Sequence, residues 1–502
     1  MDFVAKLQET LDNEYNVSVT ENMALGFRTT GKALLDLNFA VSSLRSKPES
    51  AIISKFMKAY RASGKDALVW LFFARDARGG LGERRLFRVV WSRLAKDGEI
   101  DVAPLVPLIP EYGRFDDLLV LLDSQHKGMA LSLIANRLGA DQEGMAKGEP
   151  ISLLAKWLPS VNASSKKIRG FARTIAKALG MTWEAYRKEL AKLRKYLDVV
   201  ERKMSRGEFG EINYEAVPSK ANIKYYKAFL NRDNERRLAF LESLKKDGGA
   251  KIKASVLYPH DIVHSYTSRG HFVNEHDETL EALWEALPSA PEIKNTIVVA
   301  DGSASMAAPI GNTSCTALCV ANALAIYFAG FCSGTFKDKY ITFSKNPRLV
   351  DLSTGRSLRA KLEIALGHNE VANTDVYKVF ELILATAQGN KMSQEELPKN
   401  IIIISDMEFD MCAENANKKL FAAIAEEYEA CGYRLPRLVF WNVNSRTGTI
   451  PLKENGLGVA LVSGFSVAIA KMVMSLELDP YKALMETLNS PRYDAVREAL
   501  ST

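Results

Sequence analysis

The spacing of apolar residues changes once along this 502-residue chain, close to Pro291. Before that point apolar positions recur at intervals of three and four, as at Leu34, Leu37 and Val41. This interval places them on one side of an α-helix, and segments containing glycine or proline separate the successive helical stretches. We therefore predict an all-α arc or ring of HEAT-like antiparallel helices, of solenoid character, over residues 1–290.

After Pro291, short runs of β-branched residues alternate with helical segments. The clearest strand candidates are residues 295–300, 400–405 and 437–442. Buried strands that alternate with helices are typical of a doubly wound, mostly parallel sheet. We predict an α/β domain of this Rossmann type over residues 291–480, with its last helix at 467–476. Residues 481–502 are expected to add a terminal helix that docks back on the helical part.

The composition fits a globular protein of a reducing compartment. Hydrophobic residues make up 47% of the chain and charged residues 25%, which excludes disorder as the main state. All five cysteines follow residue 300 in apolar surroundings, a pattern unlike a disulfide scaffold. The first residues lack the features of a signal peptide, and no 18-residue window is uninterruptedly apolar. These features predict a soluble cytoplasmic protein with no membrane segment.

Oxygen-bearing side chains follow two of the predicted strands and open one predicted helix. Asp301, Ser303 and Ser305 come directly after the first strand, Asp406 ends the central strand, and Thr374 precedes a helix. Mg²⁺ takes six oxygen ligands and gives up water reluctantly, so hydroxyls and water-bridged carboxylates suit it. We expect both serines to bind Mg²⁺, Mn²⁺ or Ca²⁺ directly, and Thr374 directly or through water. The aspartates would mostly accept hydrogen bonds from metal-bound water.

Two readings of this motif remain open. Asp301 and Ser303 are also common as turn and helix-capping residues between a strand and a helix. The order of the three loops along the sheet edge favours a metal site. An open metal position would then take a carboxylate or phosphate oxygen of a partner, such as an exposed Asp or Glu of another protein.

Residues 294–470 resemble a von Willebrand factor A domain with a metal-ion-dependent adhesion site (MIDAS), through the segments DGSAS, NTD and IIIISD. The helical part resembles the TROVE module of Ro ribonucleoproteins. The whole chain more closely resembles a group of phage, giant-virus and plant proteins with this layout. The segments that carry this likeness are TENMALGFRTTGKALLDL, FFARDARGGLGERRLFR, EYGRFDDLL, GEINYEAVPSKA, IIIISDMEFD and LVFWNVN. The resemblance implies a helical ring or arc, a metal-site domain, and structured or single-stranded RNA as ligand. The loop at Thr374 departs from the family in lacking the Gly-Gly that often precedes this threonine.

A strongly basic stretch lies within the helical part. Residues 156–206 contain 14 lysines and arginines against 4 acidic residues. Such a surplus suits a polyanion, although a solvated outer helix face explains it equally well. Phe171, Trp183 and Tyr186 either stack on unpaired bases or belong to the core. The candidate RNA contacts are Lys166, Lys167, Arg169, Arg173, Arg187, Lys188, Lys192, Arg194 and Lys195.

Three other motifs favour structural roles. The glycine-rich turn at residues 78–82 does not follow a strand, so we predict no nucleotide cofactor, and instead an ion pair from Arg75 or Arg78 to Asp116 or Asp117. Nucleic-acid contact by the neighbouring Arg84 and Arg85 stays open.

The pair His260 and His264 imitates the spacing of a zinc-binding helix motif. A third ligand would have to come from His271, Glu275 or His276. We interpret the pair as capping and packing residues, and Cys315 and Cys319 as core thiols.

Together these features predict a non-catalytic, Ro-like RNA-binding scaffold whose metal site engages an acidic partner group. No Ser-His-Asp or Cys-His grouping is recognisable in the sequence. The main alternative is a metal-dependent protein-binding adaptor without RNA. A metal-dependent phosphoesterase acting at Asp301 and Asp406 is the less favoured alternative.

Overall fold

The computed structural model describes residues 3–246, 248–268, 271–290, 292–311, 313–343, 345–370, 372–411, 418–466 and 479–501. The chain forms two compact units. Residues 1–67 and 254–489 form the first, called here the sheet unit, and residues 68–253 and 490–502 form the second, the helical unit. These units cross the sequence-based boundaries at residues 290 and 480, because the N-terminal segment packs with the sheet.

The sheet unit combines one large sheet with helices and two short hairpins. Its α-helices are α1 (Phe3–Tyr15), α2 (Ala33–Phe39), α3 (Val41–Leu44), α4 (Glu49–Ala62), α15 (Pro259–Tyr266), α16 (Glu278–Glu285), α17 (Ala317–Phe331), α18 (Leu358–Gly367), α19 (Tyr377–Gly389), α20 (Leu420–Ala430) and α21 (Pro480–Leu488). The hairpin strands are β1 (Ser18–Val19) with β2 (Leu25–Gly26), and β3 (Thr267–Ser268) with β4 (His271–Phe272).

The large sheet has six strands and is mostly parallel. They are β5 (Thr296–Asp301), β6 (Lys339–Phe343), β7 (Arg348–Asp351), β8 (Asn400–Ser405), β9 (Arg437–Asn442) and β10 (Val459–Ser463). Their order is β10-β9-β8-β5-β6-β7, and β7 alone among them pairs antiparallel. Every residue of β5 and β9 is buried, which explains why these strands are apolar runs without alternation. The mixed α/β architecture with a sheet in the C-terminal part is as predicted.

The strand order reverses direction at β5. The chain passes from β5 to β6 on one side, and later places β8 on the other side of β5. Ligands of open α/β sheets bind in the crevice where the connections after two neighbouring strands diverge in this way. The loops that follow β5 and β8 carry the predicted metal motif, so the topology places that motif at the reversal point.

The N-terminal segment belongs to the sheet unit through contacts with distant residues. The backbone groups of Phe27 and Ile450 exchange two hydrogen bonds of 2.8 Å. The Ser42 hydroxyl donates to the main-chain oxygen of Asn442 at 3.0 Å, and the Asn442 side chain donates back to Phe39 O at 2.8 Å. Phe39, Ser42 and Asn442 are all buried. Residues 16–44 were predicted to be part of the helical stack, and this placement corrects that expectation.

The helical unit consists of helices joined by turns. Its α-helices are α5 (Gly64–Arg75), which crosses the boundary between the units, α6 (Arg84–Asp97), α7 (Ile109–Tyr112), α8 (Lys127–Lys147), α9 (Leu154–Trp157), α10 (Lys166–Ala178), α11 (Trp183–Tyr196), α12 (Val200–Ser205), α13 (Ser219–Arg232), α14 (Asn234–Leu244) and α22 (Asp494–Ala499). Short 3-10 segments lie at Ala103–Leu108, Phe115–Asp123 and Phe209–Glu211. Neighbouring helices pack on each other, as α10 does on α11 and α13 on α14.

The helix α17 begins at Ala317, because the Thr316 hydroxyl accepts the Cys319 amide at 3.2 Å and caps it. The helix predicted at 467–476 lies outside the described residues. Within the described residues, no helix combines the length and the apolar character needed to cross a membrane.

Candidate functional site

The loop after β5 is fixed by hydrogen bonds to the end of that strand. The Asp301 carboxylate accepts the Ser303 amide at 2.9 Å and the Ser405 hydroxyl, from the end of β8, at 2.6 Å. A Cβ atom on Gly302 would lie 3.0 Å from the Thr342 hydroxyl, so only glycine fits there without displacement. The turn therefore directs the next residues over the end of the sheet.

The two serine hydroxyls of this turn lie side by side. Ser303 Oγ and Ser305 Oγ are 3.0 Å apart. Ser303 is buried and Ser305 is partly exposed. The nearby Ser305 hydroxyl also opposes the rise in the pKa of the Asp406 carboxyl group. The structure thus brings together Asp301, Ser303, Ser305 and Asp406 at one edge of the sheet.

The two aspartates are buried in the same region, Asp301 at 1% exposure and Asp406 at 0%. Burial, followed by the charge of Asp406, raises the pKa of Asp301 to about 7. Burial also raises the pKa of Asp406, against the opposing effect of Arg446. Two carboxylates that disfavour each other's ionisation are stabilised by a cation placed between or beside them. The donor set, oxygen alone, therefore fits a hard divalent cation.

Thr374 lies in a loop that is attached to the first one. The Ala304 amide donates to Ala372 O at 3.1 Å, which joins the two loops. The Thr374 amide donates to the Asp410 carboxylate at 3.0 Å, and its buried hydroxyl accepts the Asn22 side-chain amide at 3.3 Å. The hydroxyl of Thr374 is therefore in contact with the N-terminal segment.

Arg446 is a residue of this site that the sequence did not reveal. Its guanidinium lies 3.0 Å from Asp406 Oδ2 and 2.7 Å from Glu21 Oε2. Glu21 lies in the segment TENMALGFRTTGKALLDL and Arg446 in none of the quoted segments, and both approach Asp406 only through the tertiary fold. A metal ion held by Asp406 would share that carboxylate with an arginine.

Glu408 positions the loop that carries Arg446. This carboxylate is fully buried and accepts the amides of Glu21 at 2.9 Å, Arg446 at 2.7 Å and Thr447 at 2.9 Å. Three amide donors from two distant segments on one buried carboxylate make it a structural anchor. The signal for this residue was its place in the segment IIIISDMEFD, two positions after Asp406.

The basic stretch of residues 156–206 divides into exposed and internally bonded cations. Arg194 donates to Ala155 O at 2.8 Å and Leu158 O at 2.9 Å, and Arg169 donates to Ala163 O and Ser164 O, both at 2.7 Å. The guanidinium groups of these two arginines are hydrogen-bonded to backbone carbonyl groups of loops, so they are not free surface charges. The exposed candidates, called here the basic face, are Lys166, Lys167, Arg173, Arg187, Lys188, Lys192 and Lys195.

The aromatic residues near the basic face have different environments. Tyr186 is buried at 1% exposure, and its hydroxyl donates to Pro159 O at 3.0 Å, so it is a core residue. Trp183 is 53% exposed, and the Arg173 guanidinium lies 4.0 Å from its ring centroid. Of the two open readings, core packing therefore applies to Tyr186 and not to Trp183.

The structural roles assigned to two other motifs agree with the structure. Arg75 Nη2 lies 2.7 Å from Asp117 Oδ2, which confirms the expected ion pair near the glycine-rich turn. Arg84 pairs with Asp116 at 2.5 Å in the same cluster. His260 packs edge-on against Phe465 with ring centroids 5.0 Å apart, as a packing residue does.

Comparison with known proteins finds similarity to two family models and to a viral protein. Residues 177–289 match the family model "Domain of unknown function (DUF2828)", and residues 295–491 match "Domain of unknown function (DUF7788)". The chain is also similar to a protein of Acanthamoeba polyphaga mimivirus named "Uncharacterized protein L728". The two are 28% identical over 515 residues, covering 94% of this chain and 87% of the viral protein. The similarity to a giant-virus protein thus extends over both units.

Proposed function

We propose that this protein is a non-catalytic RNA-binding scaffold of the Ro type. In this proposal the basic face receives RNA, and a divalent cation at the ends of β5 and β8 engages an acidic group of a partner. The sheet unit would then be a von Willebrand A-like domain, and the helical unit a HEAT-like, TROVE-like module, as the sequence resemblance implies.

The observation that carries RNA binding is the basic face itself. Seven exposed cations lie on two successive helices, α10 and α11. Lys188 Nζ lies 2.8 Å from Glu184 Oε1, and both side chains are largely exposed. Such an exposed pair is weak and exchanges readily with a phosphate. The partly exposed Trp183 lies among these cations and offers a ring on which an unpaired base can stack.

The grouping of hydroxyls and carboxylates supports the metal site. Ser303 and Ser305 would supply the hydroxyl ligands, and Asp301 and Asp406 the negative charge around the ion. When bound, such an ion supplies a Lewis-acidic position for a carboxylate or phosphate oxygen. Hydroxyl ligands leave more of the ion's charge for that partner group than carboxylate ligands do.

RNA retention tests the proposal against the adaptor alternative. The triple variant Lys188→Gln, Lys192→Gln, Lys195→Gln should bind a structured RNA more weakly. Each lost phosphate contact should also reduce the slope of log affinity against log salt by about 1. The control removes three exposed lysines elsewhere in the helical unit: Lys96→Gln, Lys127→Gln, Lys147→Gln. Both effects should be absent in the control.

Two other outcomes would point elsewhere. Absence of RNA retention by the unaltered chain between about 50 and 150 mM salt, where phosphate contacts weaken most visibly, would favour the adaptor. Metal-dependent hydrolysis of a phosphodiester that Asp406→Ala abolishes would instead favour a phosphoesterase.

A further inference from the structure

A histidine and two cysteines converge in the sheet unit, around the start of α17. His264 lies on α15, Cys315 precedes α17, and Cys319 lies in the first turn of α17. One nitrogen of His264 and the two sulfurs all lie within 4.8 Å of one another. The sequence predicts that the two thiols are core residues and that a third zinc ligand would come from His271, Glu275 or His276. The fold brings these three side chains together instead.

We propose that His264, Cys315 and Cys319 bind a zinc ion. Zinc favours a tetrahedron of nitrogen and sulfur ligands with Zn–S distances of about 2.3 Å, which places two sulfurs about 3.8 Å apart. The two sulfurs therefore need to approach by about 1 Å at most, and the nitrogen and each sulfur by about 1.3 Å at most. Thiolate and imidazole ligands select zinc over Mg²⁺, so this site differs in chemistry from the oxygen site at β5 and β8.

The surroundings leave room for such an ion. His264 and Cys319 line a cavity of about 10 Å³ that apolar and polar side chains enclose, among them Leu318, Leu362 and Asn322, and Cys315 lies outside this lining. This is about the space that a single water-sized particle occupies. His264 Nε2 lies 3.0 Å from the Ser314 hydroxyl at the exposed rim. Three protein ligands with a rim open to solvent leave the fourth position to water.

The positions of the ligands favour metal binding over simple packing. Cys315 and His264 are partly exposed, whereas core thiols and imidazoles are normally enclosed. Cys315 lies outside α17, so its side chain can turn towards the ion without disturbing the helix. His260, the other histidine of the zinc-like sequence, is not needed because its ring packs on Phe465.

Cobalt titration of the full chain tests the site. Reduced protein, freed of metal with a chelator, should bind one equivalent of Co²⁺ with a thiolate-to-cobalt absorption band, and Zn²⁺ should displace it. His264→Asn and Cys315→Ser should each abolish the band. These residues are partly exposed, so both variants should fold. Cys431→Ser, at a partly exposed cysteine outside the cluster, should leave the band unchanged.

The result separates this site from the proposed function. The double variant Ser303→Ala, Ser305→Ala should keep the cobalt band, because it removes only oxygen ligands. The zinc site would be overturned by absence of the band in the unaltered chain, or by its persistence in either His264→Asn or Cys315→Ser. A Cys315–Cys319 disulfide found by mass spectrometry in protein kept under reducing conditions would also overturn it.

Discussion

Charged groups have different surroundings in two regions of the molecule. They are buried in the loops at the ends of β5 and β8, and they are exposed on the basic face of α10 and α11. At the strand ends, Asp301, Asp406 and Glu408 are buried, and each accepts hydrogen bonds from defined partners. On the basic face, seven cations are exposed. A buried charge without a partner costs free energy, so each buried carboxylate needs hydrogen-bond donors at defined positions. An exposed cation is solvated by water and needs no such partner. The behaviour of the strand ends therefore depends on individual hydrogen bonds, and that of the basic face on its total positive charge.

The largest expected effect is at Glu408. Glu408→Gln replaces a buried acceptor of three backbone amides with a neutral group that also introduces donors. We expect the free energy of unfolding to fall by about 3 kcal/mol, measured by chemical denaturation of the whole chain. Glu429→Gln, at an exposed glutamate of α20, should change it little. Equal, small effects at both positions would contradict the claim that burial fixes this region.

The second effect concerns the hydroxyl pair. Ser303→Ala with Ser305→Ala should remove Mg²⁺-dependent thermal stabilisation without unfolding the protein. At a ligand concentration one hundred times the Kd, that stabilisation amounts to about 2.7 kcal/mol. The measurement is a thermal melt with and without Mg²⁺, and Ser164→Ala with Ser353→Ala, at exposed serines, is the matched control. An unchanged Mg²⁺ titration in the first variant would place the ion elsewhere.

A third, smaller effect is expected from Arg446. Its guanidinium neutralises part of the Asp406 charge that a metal ion would use. Arg446→Gln should therefore raise Mg²⁺ affinity roughly tenfold, measured by calorimetry. Arg434→Gln removes an exposed arginine of the same unit and should leave the affinity unchanged. Weaker Mg²⁺ binding in Arg446→Gln would show that the arginine supports the site and does not compete for it.

The smallest effect is predicted for the basic face. Trp183→Ala should weaken the binding of single-stranded RNA about fivefold, since base stacking on an aromatic ring contributes about 1–3 kcal/mol. Tyr15→Ala, at a tyrosine 73% exposed in α1, is the control. A filter-binding assay at constant salt measures both. No change in Trp183→Ala would limit the role of the basic face to its cations.

The sequence predicted the sheet well because buried strands carry a strong local signal. The bounds of β8 at Asn400–Ser405 and β9 at Arg437–Asn442 are those expected from their apolar runs. Helix ends carry a weaker local signal, since capping by a side chain such as Thr316 decides them.

The candidate site was predictable where its residues adjoin a predicted strand or helix. Asp301 and Asp406 follow strands, Thr374 precedes a helix, and parallel strands bring their ends to the same edge. Arg446 and Asn22 reach the site through long-range contacts that no local pattern encodes. The placement of residues 16–44 with the sheet was missed for the same reason, because helical spacing does not show what a helix packs against.

The union of the N-terminal segment with the sheet has a consequence for biosynthesis. Thr20 Oγ1 donates to Phe409 O across 389 residues of sequence. A ribosome adds about 5–20 residues per second, so the nascent segment waits on the order of tens of seconds for its partner strands. The apolar side chains of this segment must be shielded in that interval. If translation stops before β8, the product lacks the strands against which its first helices pack.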